Sequence, residues 1–326
     1  MGTMVDGTWR TDTWIRDNEG RFEREPTTFH NRVRSVPDAA FPLAAGRYHL
    51  YVSYACPWAH RTLIVRSMLG LEDAIDVSVV HPHMLEDGWS FETDFANTTG
   101  DQVMGKDFLR QLYAHADSDY SGRVTVPVLW DKERETIVNN ESREIIRNFG
   151  TTFRELATES VDLWPDGVRD DVDEVIDAIY QPINNGVYRA GFATSQSAYD
   201  EAVTELFEAL EKWNRHLSEN RYLCGDLLTE ADVCMFTTLL RFDPVYYGHF
   251  KCNLRHVYEF DNLWNYTLEL YQMPPIQKTC HLDHIKTHYY YSHESINPPR
   301  VIPKGPILDR LAEHDRDRLP GHIATR

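Results

Sequence analysis

Lysine is scarce in this chain of 326 residues, with seven copies beside 26 arginines. Cysteine is scarce as well. Its five copies, at 56, 224, 234, 252 and 280, are odd in number and widely spaced, which argues against a disulfide framework and for reduced thiols. Long apolar runs are missing, since nothing approaches the roughly 20 residues a membrane helix requires. The opening MGTMVDGTWRTDTWIRD carries acid and tryptophan where a secretory leader would be apolar, so a cytoplasmic location with no membrane partner is expected. Positive charge is also in deficit. Lys and Arg total 33 against 51 Asp and Glu, a formal net charge of -18, which makes nucleic acid a poor partner. High acid with little lysine hints at a salt-adapted cytoplasm, although GC-rich coding alone also exchanges Lys for Arg. What the chain does have is 42% hydrophobic and 12% aromatic residues, enough for packed cores in about two domains.

Residues 1–45 are rich in charge and turn formers and lack a sustained apolar period, so they read as an extended N-terminal arm. From 46 the pattern changes. RYHLYVSY is strand-like, CPWAHRTLIVRSMLG is an amphipathic helix stopped by Gly70, and AIDVSVVHP is a second strand. Residues 82–122 read as a long inserted connection. TVPVLWD and ETIVNN then form two short strands, and ESREIIRNF a helix, closing an α/β domain over 46–152. Beyond Trp164-Pro165 strand signals vanish. Five segments, 169–183, 199–217, 229–242, 260–273 and 280–291, repeat apolar residues three or four apart, which predicts an all-α bundle over 165–291 followed by a Pro-rich tail, 292–326. In LLTEADVCMF, Thr229 is an N-cap with Asp232 reaching back to it and Leu228 stapled to Val233.

The sharpest local feature is Tyr54-Ala55-Cys56-Pro57-Trp58-Ala59 between a strand and a helix. Proline suits the first helical position, which places Cys56 at the N-cap with its sulfur toward free amides and favours the nucleophilic thiolate. Lowering a thiol from about 8.5 to about 5 takes roughly 4 to 5 kcal/mol, while a helix terminus supplies about 0.3 to 2. Further donors are needed, and hydroxyls at about 1.5 to 3 kcal/mol each would serve. Position 59 is Ala where a dithiol site would have Cys, so a disulfide at Cys56 must be discharged by an external thiol or a distant cysteine. Cys234 falls in an apolar helical run and reads as core. Thr125-Val126-Pro127-Val128 opens a strand with either an ordinary trans edge proline or a cis-proline that presents Val126 to a peptide-like ligand. Glu141 and Ser142 start a helix beside free amides, a capping pair that could also hold an amino-acid head group. Cys280, His284 and His288 have a spacing that could face a metal, but no fourth ligand is evident and no metal is expected.

Cys-Pro at the first strand-helix turn, Val-Pro before the third strand, Glu-Ser at the last helix of that half and the TEAD box resemble a glutathione transferase. YACPWAHR, VVHPHMLEDGW, GVYRAGFA, RFDPVYYGHFKCN and HYYYSHESINPPRVIPKGP resemble, more narrowly, the glutathionyl-hydroquinone reductases, or xi-class transferases, over nearly the whole chain. The resemblance implies a thioredoxin-like domain followed by an α-helical domain, usually in a homodimer. It implies thiol-dependent reduction of glutathionyl-hydroquinones, with Cys56 as nucleophile and a second glutathione resolving its mixed disulfide. By the same resemblance Trp89 packs on glutathione, Arg123, Val124, Thr125 and Val126 with Pro127 hold its backbone, and Glu141 with Ser142 hold its γ-glutamyl end. Tyr188 would protonate the leaving aromatic, and Tyr246 and Tyr289 would line the pocket and lower the nucleophile's pKa. Tyr247, and Tyr290 with Tyr291, are neighbouring alternatives. Two rival readings share the frame: an omega-like thiol transferase or dehydroascorbate reductase, and a non-catalytic interaction module. The co-substrate would be glutathione or, in a salt-adapted cell, γ-glutamylcysteine.

Overall fold

In the computed structural model, residues 2–11, 19–36 and 38–326 are described. The chain opens with a hairpin, β1 (Thr3–Val5) paired antiparallel with β2 (Thr8–Arg10) across Asp6 and Gly7. Both turn residues have positive φ, 46° and 70°, the backbone twist that tight hairpins favour. The arm that follows is held along the domain by main-chain bonds rather than by an apolar period. Asn31 N–H donates to the Val138 carbonyl (3.0 Å) and Asn140 N–H to that of Phe29 (3.1 Å). The Asn148 amide brackets the buried Val33 by donating to its carbonyl and accepting from its N–H, both at 3.0 Å.

The expected βαβ opening is present: β3 (Tyr48–Val52), α1 (Pro57–Met68) and β4 (Asp76–Val79). Gly70 ends α1 at φ 62°, where a Cβ would meet the Thr158 hydroxyl at 2.0 Å. The inserted connection carries a small hairpin, β5 (Met84–Leu85) with β6 (Gly88–Trp89), and then α2 (Leu109–Ala116). Asp101 knots it by accepting from the N–H groups of Val103, Met104 and Lys106 and from the Tyr51 hydroxyl. Then come β7 (Val128–Asp131), β8 (Thr136–Asn139) and α3 (Ser142–Gly150). The sheet runs β4-β3-β7-β8, with only β3 and β4 parallel. β3 is buried along its whole length and forms the spine of the core.

The second half is helical apart from short strands: β9 (Val161–Asp162), α4 (Arg169–Ile179), α5 (Gly186–Gly191), α6 (Gln196–Glu219), α7 (Glu230–Arg241), α8 (Tyr247–His249), α9 (Asp261–Gln272), α10 (Pro274–Gln277), α11 (Leu282–Ser292) and β10 (Ala324–Thr325). The helix anticipated over 169–183 ends early, at Ile179, while α7 ends at Arg241 close to its expected bound, and each runs on into a π-turn, Tyr180–Asn184 and Phe242–Tyr246. Each turn contains a proline, Pro182 or Pro244, whose missing N–H forces the ladder to shift. At α7 the cap is as the spacing predicts, with Thr229 N–H donating to Asp232 at 2.8 Å. Asp232 also accepts from Leu223 N–H and the Tyr266 hydroxyl, yet burial pushes its carboxyl up to about 6.

Two compact units partition these elements. The first gathers the chain's start, Arg24–Glu159 and His281–Ser292, while the second holds a short early stretch ending at Glu23, Ser160–Cys280 and His293–Arg326. α11, continuous in sequence with the helical half, therefore belongs with the α/β unit. Among the described residues no helix is long and apolar enough to cross a membrane.

Candidate active site

Cys56 is the N-cap of α1, with extended backbone (φ -75°, ψ 123°) and Pro57 as the first helical residue. The sulfur makes no capping bond to the α1 amides; Sγ instead lies 3.5 Å from the Val126 carbonyl, which accepts from the thiol. The Val126–Pro127 bond is cis. Ala59, one turn on, is fully buried, and no second sulfur occupies that position. Trp58 lies between two guanidinium groups, Arg61 at 4.3 Å and Arg24 at 5.0 Å from its ring centre.

The stretch expected to hold a ligand backbone is fixed by two tyrosines that sequence reasoning passed over. The Tyr113 hydroxyl donates to the Thr125 carbonyl (2.8 Å) and accepts from Asn140 Nδ2 (3.1 Å), and the Tyr120 hydroxyl donates to the Arg123 carbonyl (2.8 Å). Arg123, Val124 and Thr125 are half-buried, and Val126 and Pro127 are buried. Asn140 in turn meets the arm at Phe29 N–H, so loop, arm and α3 entry share one network. At that entry Glu141 is the N-cap, accepting from Arg143 N–H at 3.2 Å. Its carboxylate also accepts from the Ser142 hydroxyl (3.4 Å) and, from the arm, the Thr27 hydroxyl (3.3 Å). Among the described residues no cation lies within ion-pair distance of Glu141. The buried Arg61 donates from Nη1 to Ser142 Oγ at 3.5 Å.

Trp89 is buried at the end of β6 and stacks on His288 of α11, 4.7 Å between ring centres. His288 donates from Nδ1 to the Pro82 carbonyl at 2.9 Å. Tyr291 stacks on His83 at 3.7 Å, and His281 on Tyr54 at 3.7 Å. Ser292 Oγ accepts from Met84 N–H at 2.9 Å. Tyr289, buried, and Tyr290, half-buried, lie on the same helix of this unit.

Tyr188 and Tyr246 belong to the second unit, where their rings are 6.0 Å apart. Tyr246 stacks on Phe250 at 5.4 Å, and Phe192 and Phe22 extend the cluster. Tyr246 is fully buried whereas Tyr247 is half-buried and turns to stack on His256. The other cysteines for which a shift is resolved are poor nucleophiles, because burial pushes Cys224 and Cys280 up to about 12 and Cys252 higher still.

The histidines that could have faced a metal are otherwise engaged: His284 Nε2 donates to the Ala96 carbonyl at 2.5 Å, and His288 to Pro82. His81, Glu92 and Asp94 do converge within 4.8 Å. His81 Nδ1, however, accepts His83 N–H at 3.0 Å, so the neutral ring carries its proton on Nε2, which faces Asp94 at 3.1 Å. That nitrogen offers a donor rather than a lone pair.

The family model described as "Glutathione S-transferase, N-terminal domain" matches residues 55–152, and the corresponding C-terminal-domain model matches 196–267. The chain is 50% identical to the glutathionyl-hydroquinone reductase YqjG of Escherichia coli, over 97% of this chain and 99% of that protein. A solved xi-class transferase from Natrialba magadii superposes with a TM-score of 0.94 at 57% identity, covering 99% and 98% of the two chains. The glutathione-bound structure of E. coli YqjG gives 0.89 at 48% identity, covering 97% and 99%.

Proposed function

The chain belongs to the glutathione transferases and, within them, to the glutathionyl-hydroquinone reductases, and from that premise we propose how its own residues carry out thiol-dependent reduction of a glutathionyl-hydroquinone. Cys56, as thiolate, attacks the sulfur of the conjugate. A new S–S bond forms, the aromatic C–S bond breaks, and its electron pair stays on the ring carbon, which takes a proton from Tyr188. Free hydroquinone leaves behind a Cys56–glutathione mixed disulfide. A second thiolate attacks the glutathione sulfur, releasing a low-molecular-weight disulfide and restoring Cys56. The sulfur of the conjugate and the sulfur of the one added thiol thus supply the two electrons as they join in a disulfide, Cys56 is unchanged over the cycle, and no metal takes part.

The observation that carries this reading is a lone N-cap cysteine with alanine one turn later, since a monothiol must hand its disulfide to a second small thiol. Glu141, hydrogen-bonded by hydroxyls and an amide but lacking an ion-pair partner among the described residues, suits the ammonium of a γ-glutamyl group. Trp89, backed by His288, presents a fixed flat surface, and Arg123 to Pro127 supply main-chain groups beside the sulfur. Tyr246 and Tyr289 act as hydroxyl donors that favour the thiolate. The same reading places the enzyme in the cytoplasm as a homodimer.

Mass spectrometry of the protein incubated with a glutathionyl-hydroquinone tests it. Wild type should release hydroquinone and carry one glutathionyl group on Cys56, cleared by added glutathione, and Cys56→Ser should do neither. Turnover by Cys56→Ser would overturn the assignment.

A further inference from the structure

Charge at the α3 entry is distributed in two halves. Glu141 supplies a carboxylate with no ion-pair partner among the described residues. Across Ser142 from it stands Arg61, 2% exposed, its guanidinium carbon over the Trp58 ring at 4.3 Å, with that of Arg24 over the same indole at 5.0 Å. A guanidinium is donor-only, whereas a serine hydroxyl can either donate or accept. Arg61 Nη1, 3.5 Å from Ser142 Oγ, therefore occupies a lone pair of that oxygen and leaves its O–H as a donor. The hydroxyl now points its proton at Glu141, 3.4 Å away. When an ammonium arrives at Glu141, the same O–H is free to turn to a neighbouring anion. The site thus acquires one acceptor end and one donor end backed by a buried cation, the complement of a zwitterion.

Resting on the reading of Glu141 and Ser142 as holders of the γ-glutamyl end, we propose that Arg61 is a positioning and specificity-determining residue. By fixing the polarity of the Ser142 hydroxyl, and through its own charge, it makes the site select thiols whose head group bears an α-carboxylate beside its α-ammonium. Arg61 does not touch the ligand. Trp58 holds the guanidinium plane, which a flexible ammonium would not reproduce, since stacking and directed donation both depend on the flat fork. Cys56 caps helix α1 and Arg61 lies within it, so one rigid element sets the nucleophile and the selectivity for the thiol's far end.

The test is calorimetric binding of S-methylglutathione, which cannot form a disulfide, and of its analogue with the γ-glutamyl α-carboxylate converted to an amide. Wild type should prefer the carboxylate form about tenfold, in keeping with a charge-assisted bond. Arg61→Met should abolish that preference by weakening the carboxylate form alone, and Arg61→Lys, which keeps the charge but not the fork, should retain part of it. In a Ser142→Ala background Arg61→Met should bring no more than a small further change, a non-additivity that a general packing defect would not produce. Thermal melting of each variant identifies loss of fold, and Arg61→Lys keeps the test decisive if Arg61→Met does not fold. An unchanged carboxylate-to-amide ratio in both Arg61 variants would overturn the assignment of Arg61 alone. Failure of wild type to bind S-methylglutathione would overturn the γ-glutamyl reading, and this inference with it.

Discussion

Arg316 in the C-terminal tail is 0% exposed, and its guanidinium closes the end of α6. Nη1 donates to the Leu217 carbonyl at 2.8 Å, and Nη2 to those of Asn220 at 2.6 Å and Arg221 at 2.9 Å. The last carbonyls of a helix have no intrahelical donors and carry its negative dipole end, so a cation there satisfies both needs. Nε lies 4.0 Å from Glu269 Oε2, too far for a hydrogen bond, and contributes only by charge. Arg316→Met keeps the apolar stem and removes three donations. Each orphaned acceptor costs about 1–3 kcal/mol if it stays dry. Water reaches the two part-buried carbonyls, which brings the total to about 3–5 kcal/mol, the range for breaking a buried charged network. At about 2–4 °C per kcal/mol for a unit of this size, melting should fall by roughly 6–20 °C. Scanning calorimetry with thiols kept reduced measures it. Arg316→Lys, with one compact ammonium, should lie between, and an Arg316→Met midpoint within about 2 °C of wild type would refute the role given to these bonds.

Three further expectations follow from other parts of the molecule. His49 is 1% exposed and burial, with Lys132 nearby, pushes it down to about 4; the unfolded chain therefore binds a proton near 6.5 that the folded one refuses, so its stabilising contribution is intact above that pH and is lost as pH falls toward 4, by up to about 3 kcal/mol. Urea titrations at pH 7 and 5 should show His49→Gln losing less stability than wild type, and equal losses would refute the assignment. A Cβ at Gly191 would lie 2.2 Å from Phe250 Cγ, the ring that stacks on Tyr246; Gly191→Ala should cost about 1–3 kcal/mol and lower turnover of a glutathionyl-hydroquinone, whereas unchanged melting and rate would show that the ring yields freely. Because the inferred contacts at Val126, Glu141 and Ser142 address only the γ-glutamyl and cysteinyl parts, γ-glutamylcysteine should support kcat/KM within roughly tenfold of glutathione at low and molar salt, and a preference above a hundredfold in both would mean that the glycine end is specifically held.

The frame of the first unit was legible because each part has a local cause. The strand-like run of β3, the Cys-Pro entry to α1 and Gly70 at its end are written in adjacent residues, and the Thr229–Asp232 cap is a spacing of three. The arm was not legible in the same way. It reads as loose because it has no apolar period, yet Asn31 N–H and Phe29 C=O pair with β8, and main-chain bonds of that kind leave no side-chain pattern. Thr27 enters the candidate site through this pairing, at a sequence distance of 114 from Glu141. Arg61 was hidden for a different reason. A buried arginine on α1 looks like an ordinary helical residue until α3 brings Ser142 to it. Pro182 was a visible signal for the early end of α4, but the apolar spacing continued past it to Ile183 and outweighed it.

The histidines of α11 show why spacing alone misleads about chemistry. His284 and His288 are one turn apart, as metal ligands on a helix would be, but burial lowers the pKa of His284 and leaves its ring with a single proton, spent on the Ala96 carbonyl. An imidazole offers a flat face for stacking and a directed donor, and α11 with the residue before it uses both: His281 lies on Tyr54, His288 on Trp89, and each of His284 and His288 closes on a carbonyl of the inserted connection. Leucine at these positions would supply area but leave the Pro82 and Ala96 carbonyls without donors, and lysine would bring a charge to desolvate. The C-terminal helix is therefore bound to the 82–96 segment by polar and aromatic contacts that fix its rotation as well as its depth. Trp89 and Tyr289 sit on the two sides of that seam, the first stacked on His288 and the second next to it in sequence. Any rotation of α11 that displaces the His288 ring from Trp89 must also move Tyr289, whose ring lies 5.2 Å from that of His288.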